Sequence, residues 1–122
     1  MIKYDEFDKS YEFEYKGKVY SIPPISQEMS EILVTLNAKA RDLLDNGDLV
    51  GTNKNTLEYV MVAMAGLGGT KEEIEARKED LRKELLKFSR PVLHKLMMVI
   101  MTDMHGYSET AIGEELDKTK KH

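Results

Sequence analysis

The chain begins with a strict alternation of aromatic and acidic residues. Tyr11, Phe13 and Tyr15 are separated by single glutamates, and this period of two is typical of a strand with one buried face. Lys16-Gly17 is expected to form a turn, because glycine accepts a positive φ. Residues 18–22 then return as a second strand. The pattern predicts a β-hairpin, whose side chains available for packing on the helices or for self-association are Tyr11, Phe13, Tyr15 and Tyr20.

After the hairpin the hydrophobic period changes from two to between three and four, which predicts helices. Pro23-Pro24 ends the strand pairing, since neither proline can donate to a ladder. Ser26 suits a helix N-cap, and the first helix is expected from Gln27 to Asp45, where Asn46-Gly47 stops it. The apolar stripe expected on this helix consists of Met29, Ile32, Leu33, Leu36, Ala40, Leu43 and Leu44.

The remaining sequence predicts a loop and further helices. Residues 46–55 are rich in turn-forming residues and are expected to be a loop. Thr70 and Glu73 form a capping-box pattern that starts the charged third helix. The helices expected after the loop span residues 56–67, 71–88, 91–105 and, as a short last one, 109–116.

These elements define the expected fold class, which is mainly α, with four or five helices and a small N-terminal β-hairpin. We expect a flexible N-terminus over residues 1–10, a single mainly helical domain over 11–116 and a flexible tail over 117–122. Two strands alone are marginal, so the hairpin needs a helix or a second chain to cover its aromatic face.

Composition narrows the class of protein. The 122 residues are 41% hydrophobic and 33% charged, with a net charge of −4, which is typical of a globular chain. An acidic balance argues against nucleic acid or an anionic membrane as the main partner. Because cysteine is absent, disulfides and thiol chemistry are excluded. The polar N-terminus is not typical of a signal peptide, and we expect a cytoplasmic protein without a membrane span.

The sequence does not predict a catalytic or metal site. Asp103 and His105 are alternate residues of a helix, which do not share a face, and His94 is three turns away. The segment Gly66–Lys71 lacks the spacing of a phosphate loop and is interpreted as a helix linker. Residues 106–116 resemble half of a helix-turn-helix, without a recognition helix after it. We therefore expect a non-enzymatic protein that uses no cofactor or metal and binds no nucleic acid.

Methionine is the one unusual component. The chain has eight, and those beyond residue 30 lie in the second and fourth predicted helices. Methionine fills irregular gaps in cores but also lines adaptable binding surfaces, so both interpretations stay open. If the methionines form a binding surface, the candidate partner-binding residues are Met61, Met64, Met97, Met98, Met101 and Met104.

The opening of the chain resembles the tail assembly chaperones of bacteriophages with long non-contractile tails. The resemblance rests on the aromatic hairpin with Gly17-Lys18 at its turn, and on residues 19–26, Val-Tyr-Ser-Ile-Pro-Pro-Ile-Ser, which lead into a helix. Its specific part covers residues 11–36. The rest of the chain resembles these proteins only in being acidic and mainly helical.

The resemblance implies a non-enzymatic protein whose partner is the tape measure protein, a long apolar helical chain. Such chaperones keep that partner soluble until tail tube protein polymerises around it. They act in the host cell cytoplasm during infection and are absent from the mature virion. Many also have a longer frameshifted form. Self-association into a homo-oligomer is expected from the hairpin edge and the apolar fourth helix.

Other classes remain open at this point. One is a small phage or bacterial structural protein, such as an accessory subunit of a tail or capsid. Another is a regulatory adaptor or antitoxin-like helical protein. An enzyme would require a cluster of buried polar side chains, which the sequence does not indicate.

Overall fold

A computed structural model describes residues 1–104, except for the side chains of Glu6, Phe7 and Asp103. Within this range the fold is mainly helical, with four α-helices and an N-terminal two-stranded hairpin, which confirms the predicted fold class. The predicted helix over 109–116 and the tail over 117–122 lie outside the described residues. The elements are a 3₁₀ turn (Tyr4–Phe7), strands β1 (Tyr11–Tyr15) and β2 (Lys18–Ile22), helices α1 (Gln27–Asp45), α2 (Leu49–Ala65), α3 (Lys71–Leu85) and α4 (Arg90–Val99), and a π-helical turn (Ile100–Met104).

The hairpin is present as predicted, and its two strands are antiparallel. Phe13 lies opposite Tyr20 and Tyr15 opposite Lys18. Lys16 and Gly17 both have positive φ, 51° and 81°, as a type I′ turn requires. This turn matches the right-handed twist of the strands, so the aromatic side chains of both strands share one face of the ribbon.

Helix α1 has its predicted bounds. The Ser26 hydroxyl accepts a hydrogen bond from the Met29 amide at 3.1 Å, which caps the first turn. The predicted apolar stripe is wider than the buried face, because Met29 and Leu33 are buried whereas Ile32 and Leu44 are exposed.

The prediction of a loop over residues 46–55 is wrong from Leu49 onward, where α2 begins. Asp48 caps this helix, since its carboxylate accepts from the Gly51 amide at 2.8 Å. The buried Asn55 side chain donates to the Leu36 carbonyl of α1 at 2.9 Å. Turn-forming residues are therefore recruited into a helix by a cap and by a cross-helix hydrogen bond, which local propensity does not include.

Helix α2 is the centre of the molecule. Every residue from Tyr59 to Ala65 is buried, and the helix contacts α1, α3, α4 and β2. A helix hidden on all sides must be apolar all round, and Tyr-Val-Met-Val-Ala-Met-Ala meets that condition. The other elements form a shell around it.

Helix α3 starts at the predicted capping box, in which the Glu73 amide donates to the Thr70 hydroxyl at 3.2 Å. It ends at Leu85, three residues before the predicted end at Phe88. The Phe88 amide donates to the Leu85 carbonyl at 3.0 Å, and this tighter turn directs Phe88 into the core, where it is buried.

Helix α4 begins at Arg90, with Pro91 in its first turn, a position where proline is tolerated. The prediction of one α-helix as far as His105 is wrong beyond Val99, because the next residues form the π-helical turn. There the Thr102 hydroxyl donates to the Met98 carbonyl at 2.8 Å. Such back-bonding often bends a helix.

Phe88 joins the hairpin to the helices. Its ring lies 4.4 Å from that of Tyr15 and 5.3 Å, edge-on, from that of Tyr20. Phe13 stacks on Tyr20 at 5.3 Å. These separations fall in the favourable range for aromatic pairs, so the strand face predicted to need a cover is covered by the α3–α4 corner.

We expect Phe88→Ala to lower the free energy of unfolding by about 3 to 5 kcal/mol, as for other large-to-small core changes. It removes one ring from the core and exposes two tyrosines of the hairpin. Urea unfolding followed by far-UV circular dichroism measures the loss. Leu86→Ala, at the exposed neighbour of this corner, should cost under about 1 kcal/mol; equal losses for the two variants would contradict the role given to Phe88.

Candidate functional site

The structure divides the predicted methionine surface into two parts. Met61 and Met64 lie in the core beneath α1, α3 and α4, and Met61 is 0% exposed. They fill space in the centre of the molecule and form no surface, which corrects their assignment to a partner-binding face. The C-terminal half of their helix α2, and not the fourth helix, is apolar and hidden on all sides.

The methionines of the fourth helix and its π turn remain accessible. Met97, Met98, Met101 and Met104 are all partly exposed, and we call these four the methionine row. Met97, Met101 and Met104 pack their inner sides against the core, whereas Met98 lies outside that cluster. The row therefore combines an inner side packed on the core with a partly exposed outer side.

The surroundings of the row are polar along α4. Exposed His94 and Lys95 precede Met98 by four and three residues, a spacing that places them on the same side of a helix. The π turn changes the direction in which Met101 and Met104 are presented, since it adds a residue to the helical repeat. The result is a set of flexible apolar side chains beside the His94 imidazole and the Lys95 ammonium.

The hairpin residues Tyr11, Phe13, Tyr15 and Tyr20 are half-buried and face the α3–α4 corner. The Lys18 ammonium forms an ion pair with Glu84 of α3, and the pKa of Lys18 is raised because the Glu84 carboxylate accepts its hydrogen bond. The Tyr15 hydroxyl accepts from the Ser89 amide at 3.3 Å. These aromatic side chains, which the sequence offered for self-association, therefore pack on helices of their own chain.

The glycine-rich segment is a linker between α2 and α3, as the sequence predicted. Arg77 of α3 donates through Nε to the Ala65 carbonyl at 2.9 Å, and through a second nitrogen to the Gly68 carbonyl. These bonds satisfy carbonyls at the end of α2. An open cleft of about 460 Å³ lies beside this linker and the Pro23-Pro24 segment.

The described part of the chain was also searched for metal-ligand clusters and for membrane-spanning helices. Across residues 1–104, no three His, Asp or Glu side chains are arranged to hold a metal ion. No helix in the same range is long and apolar enough to cross a bilayer.

Sequence patterns missed several exposed apolar residues. Leu49 and Val50 were assigned to a loop and Leu86 to the interior of a helix, yet all three are strongly exposed. The signal that could have found the first two is Asp48 as an N-cap directly before them. No signal in the local pattern separates Leu86 from its buried neighbour Leu85.

Comparison of the chain with known protein families, curated proteins and solved structures found no match.

We expect Met98→Asp to leave the fold intact, with a change in unfolding free energy of no more than about 1 kcal/mol, because this side chain lies outside the core cluster. Met61→Asp should abolish cooperative unfolding, since it places a carboxylate without a partner in the core. Thermal unfolding by circular dichroism checks both variants. If the two variants unfolded alike, the division of the methionines into a buried pair and an accessible row would be contradicted.

Tyr15 should be among the first tyrosines to ionise as the pH is raised. Its pKa is lowered because the amide of Ser89, followed by the Ser89 side chain, hydrogen-bonds to its oxygen and favours the phenolate. The stabilisation that comes from this lowered pKa is fully present above the unfolded value of about 10. It is lost as the pH falls through the lower folded value.

Comparison of wild type with Tyr15→Phe by absorbance titration of tyrosinate measures the effect. The earliest ionisation step should be missing in the variant. A curve that differs only by one tyrosine at the usual pKa would contradict the prediction.

Proposed function

We propose that this chain is a phage tail assembly chaperone that binds the tape measure protein and keeps it soluble while the tail assembles. The observation that carries the proposal is the methionine row, a partly exposed apolar strip on a folded, acidic helical domain. The proposal also rests on the resemblance of residues 11–36 to this class of protein. Under this proposal, the protein is non-enzymatic and acts in the host cytoplasm.

The chemistry of the row suits a long apolar helical partner. Methionine side chains are unbranched and polarizable, so they adapt to many apolar surfaces instead of one. An apolar helix laid on the row would be anchored at the spacing of helical turns. The charged outer faces of α1 and α3 keep the complex in solution.

One observation favours a second candidate, a small structural subunit of a tail or capsid. Within residues 1–104 the sheet has only two strands, and Val19 on its outer face is 66% exposed. Unpaired strand edges can add strands from another chain. Assembly of a homo-oligomer through the hairpin would serve a structural subunit as well as a chaperone.

Co-expression with a tape measure protein tests the proposal. If the gene lies just upstream of a very long tape-measure gene, that gene supplies the partner. We expect the partner to be insoluble alone and soluble with this chain, in a complex detected by pull-down and light scattering. Met98→Asp should abolish the complex, while Val34→Asp, at an exposed apolar position of α1, should leave it intact.

Two results would contradict the proposal. The partner could stay insoluble in both cases, or this chain could instead join purified tails or capsids. The second outcome supports the structural-subunit alternative. A soluble complex that is insensitive to Met98→Asp would support the chaperone activity but remove the methionine row as its site.

A further inference from the structure

A second apolar surface, which shares no residue with the methionine row, lies between the N-terminal half of α2 and the α3–α4 corner. It is a cleft of about 200 Å³ whose apolar walls include Leu57, Leu86, Phe88 and Leu93. We call it the corner groove. Phe88 and Leu93 are buried in its base, whereas Leu86 at its rim is 67% exposed.

Beyond the groove, the exposed Val50 lies on the same side of α2, separated from Leu57 by the polar residues Asn53 and Lys54. Val50 lies seven residues before Leu57, so the two share a helix face, and Val50 is 66% exposed. Seven residues of helix span about 10 Å, or two turns. Val50 and Leu57 are therefore two apolar positions spaced like two successive anchors of a short helix, with Lys54 between them.

The charges at the rim have one sign. Lys54 and Arg90 line the groove, and no acidic residue of the described chain does. Arg90 is held in place because its Nε donates to the Asn53 side-chain oxygen at 2.6 Å. Among residues 1–104, the ion pairs involve other cations, namely Lys18, Lys78 and Arg82. In a chain of net charge −4, this is a local basic rim around an apolar floor.

The size of the groove argues against a small-molecule site. Pockets for drug-sized ligands occupy roughly 300–1,000 Å³ and bury most of the ligand, whereas this cleft is smaller and open. Its dimensions suit apolar side chains that project from a partner. Amphipathic helices bind apolar grooves in this way, through anchors three, four or seven residues apart.

We propose that the corner groove binds an acidic amphipathic helix of a partner protein. The apolar anchors of that helix enter between Leu57 and Leu86, and its flanking carboxylates face Lys54 and Arg90. The charge complementarity orients the helix and excludes basic segments, which would meet like charges. This surface shares no residue with the methionine row, so the inference does not depend on the proposed function.

Peptide binding to the full chain tests this inference. The probe is a fluorescent synthetic helix of about 15 residues, since shorter isolated helices are marginal. It carries leucines at i, i+4 and i+7 and glutamates on both flanks. A second peptide has lysine in place of each glutamate. Fluorescence anisotropy measures affinity at low and high salt, and amide chemical shifts locate the site.

We expect the acidic peptide to bind, the basic peptide to bind at least about tenfold more weakly, and added salt to weaken the acidic complex. Leu86→Asp and Lys54→Glu should each weaken it about tenfold, the loss typical of an altered interface anchor. The matched control is Val19→Asp, which adds the same charge at an equally exposed apolar position on the hairpin and should bind like wild type. Circular dichroism checks that all three variants are folded.

Three outcomes would overturn the inference. The first is no saturable binding of the acidic peptide by the wild-type chain. The second is equal weakening by Leu86→Asp and Val19→Asp, which would indicate a general charge effect. The third is a wild-type dimer in light scattering that Leu86→Asp converts to monomer, because a second copy of this chain would then occupy the groove.

Discussion

The complete burial of the C-terminal half of α2 is the constraint on which the rest of the structure depends. Every residue from Tyr59 to Ala65 is at most 8% exposed. This part of the helix is therefore stable only while other elements surround it. Helices α1, α3 and α4 and strand β2 supply that cover. This enclosed half-helix supplies seven of the sixteen buried hydrophobic residues in the described part of the chain.

The α3–α4 corner is the second structural centre, and it links the hairpin to the helices. Phe88 contacts the rings of Tyr15 and Tyr20 on one side and lines the corner groove on another. The hairpin therefore depends on the short turn after α3 that directs this ring inward. A change in that turn would act on hairpin packing and on the shape of the groove together.

The methionines of this chain occupy two different environments, which differ in burial. Met61 and Met64 fill the centre of the core, whereas Met98 stands outside it. The side chains are chemically identical, so composition indicates an adaptable apolar surface without locating it. The corner groove includes the buried Phe88 and Leu93 among its lining residues, whereas the methionine row consists only of partly exposed side chains.

Local patterns in the sequence were sufficient for the fold class, for the hairpin with its two-residue turn, for the bounds of α1 and for the caps at Ser26 and Thr70. Each of these depends on interactions within a few residues, such as strand alternation or a hydroxyl that accepts from the third amide after it. The Asp48 cap that starts α2 is also local, although the loop prediction overlooked it. The continuation of α2 through residues 52–55, the inward position of Phe88 after α3 and the core position of Met61 were decided by the tertiary structure. They depend on contacts between segments distant in sequence, such as Asn55 with the Leu36 carbonyl and Phe88 with Tyr15. The hydrophobic period of a helix does not indicate which of its faces the neighbouring elements will cover.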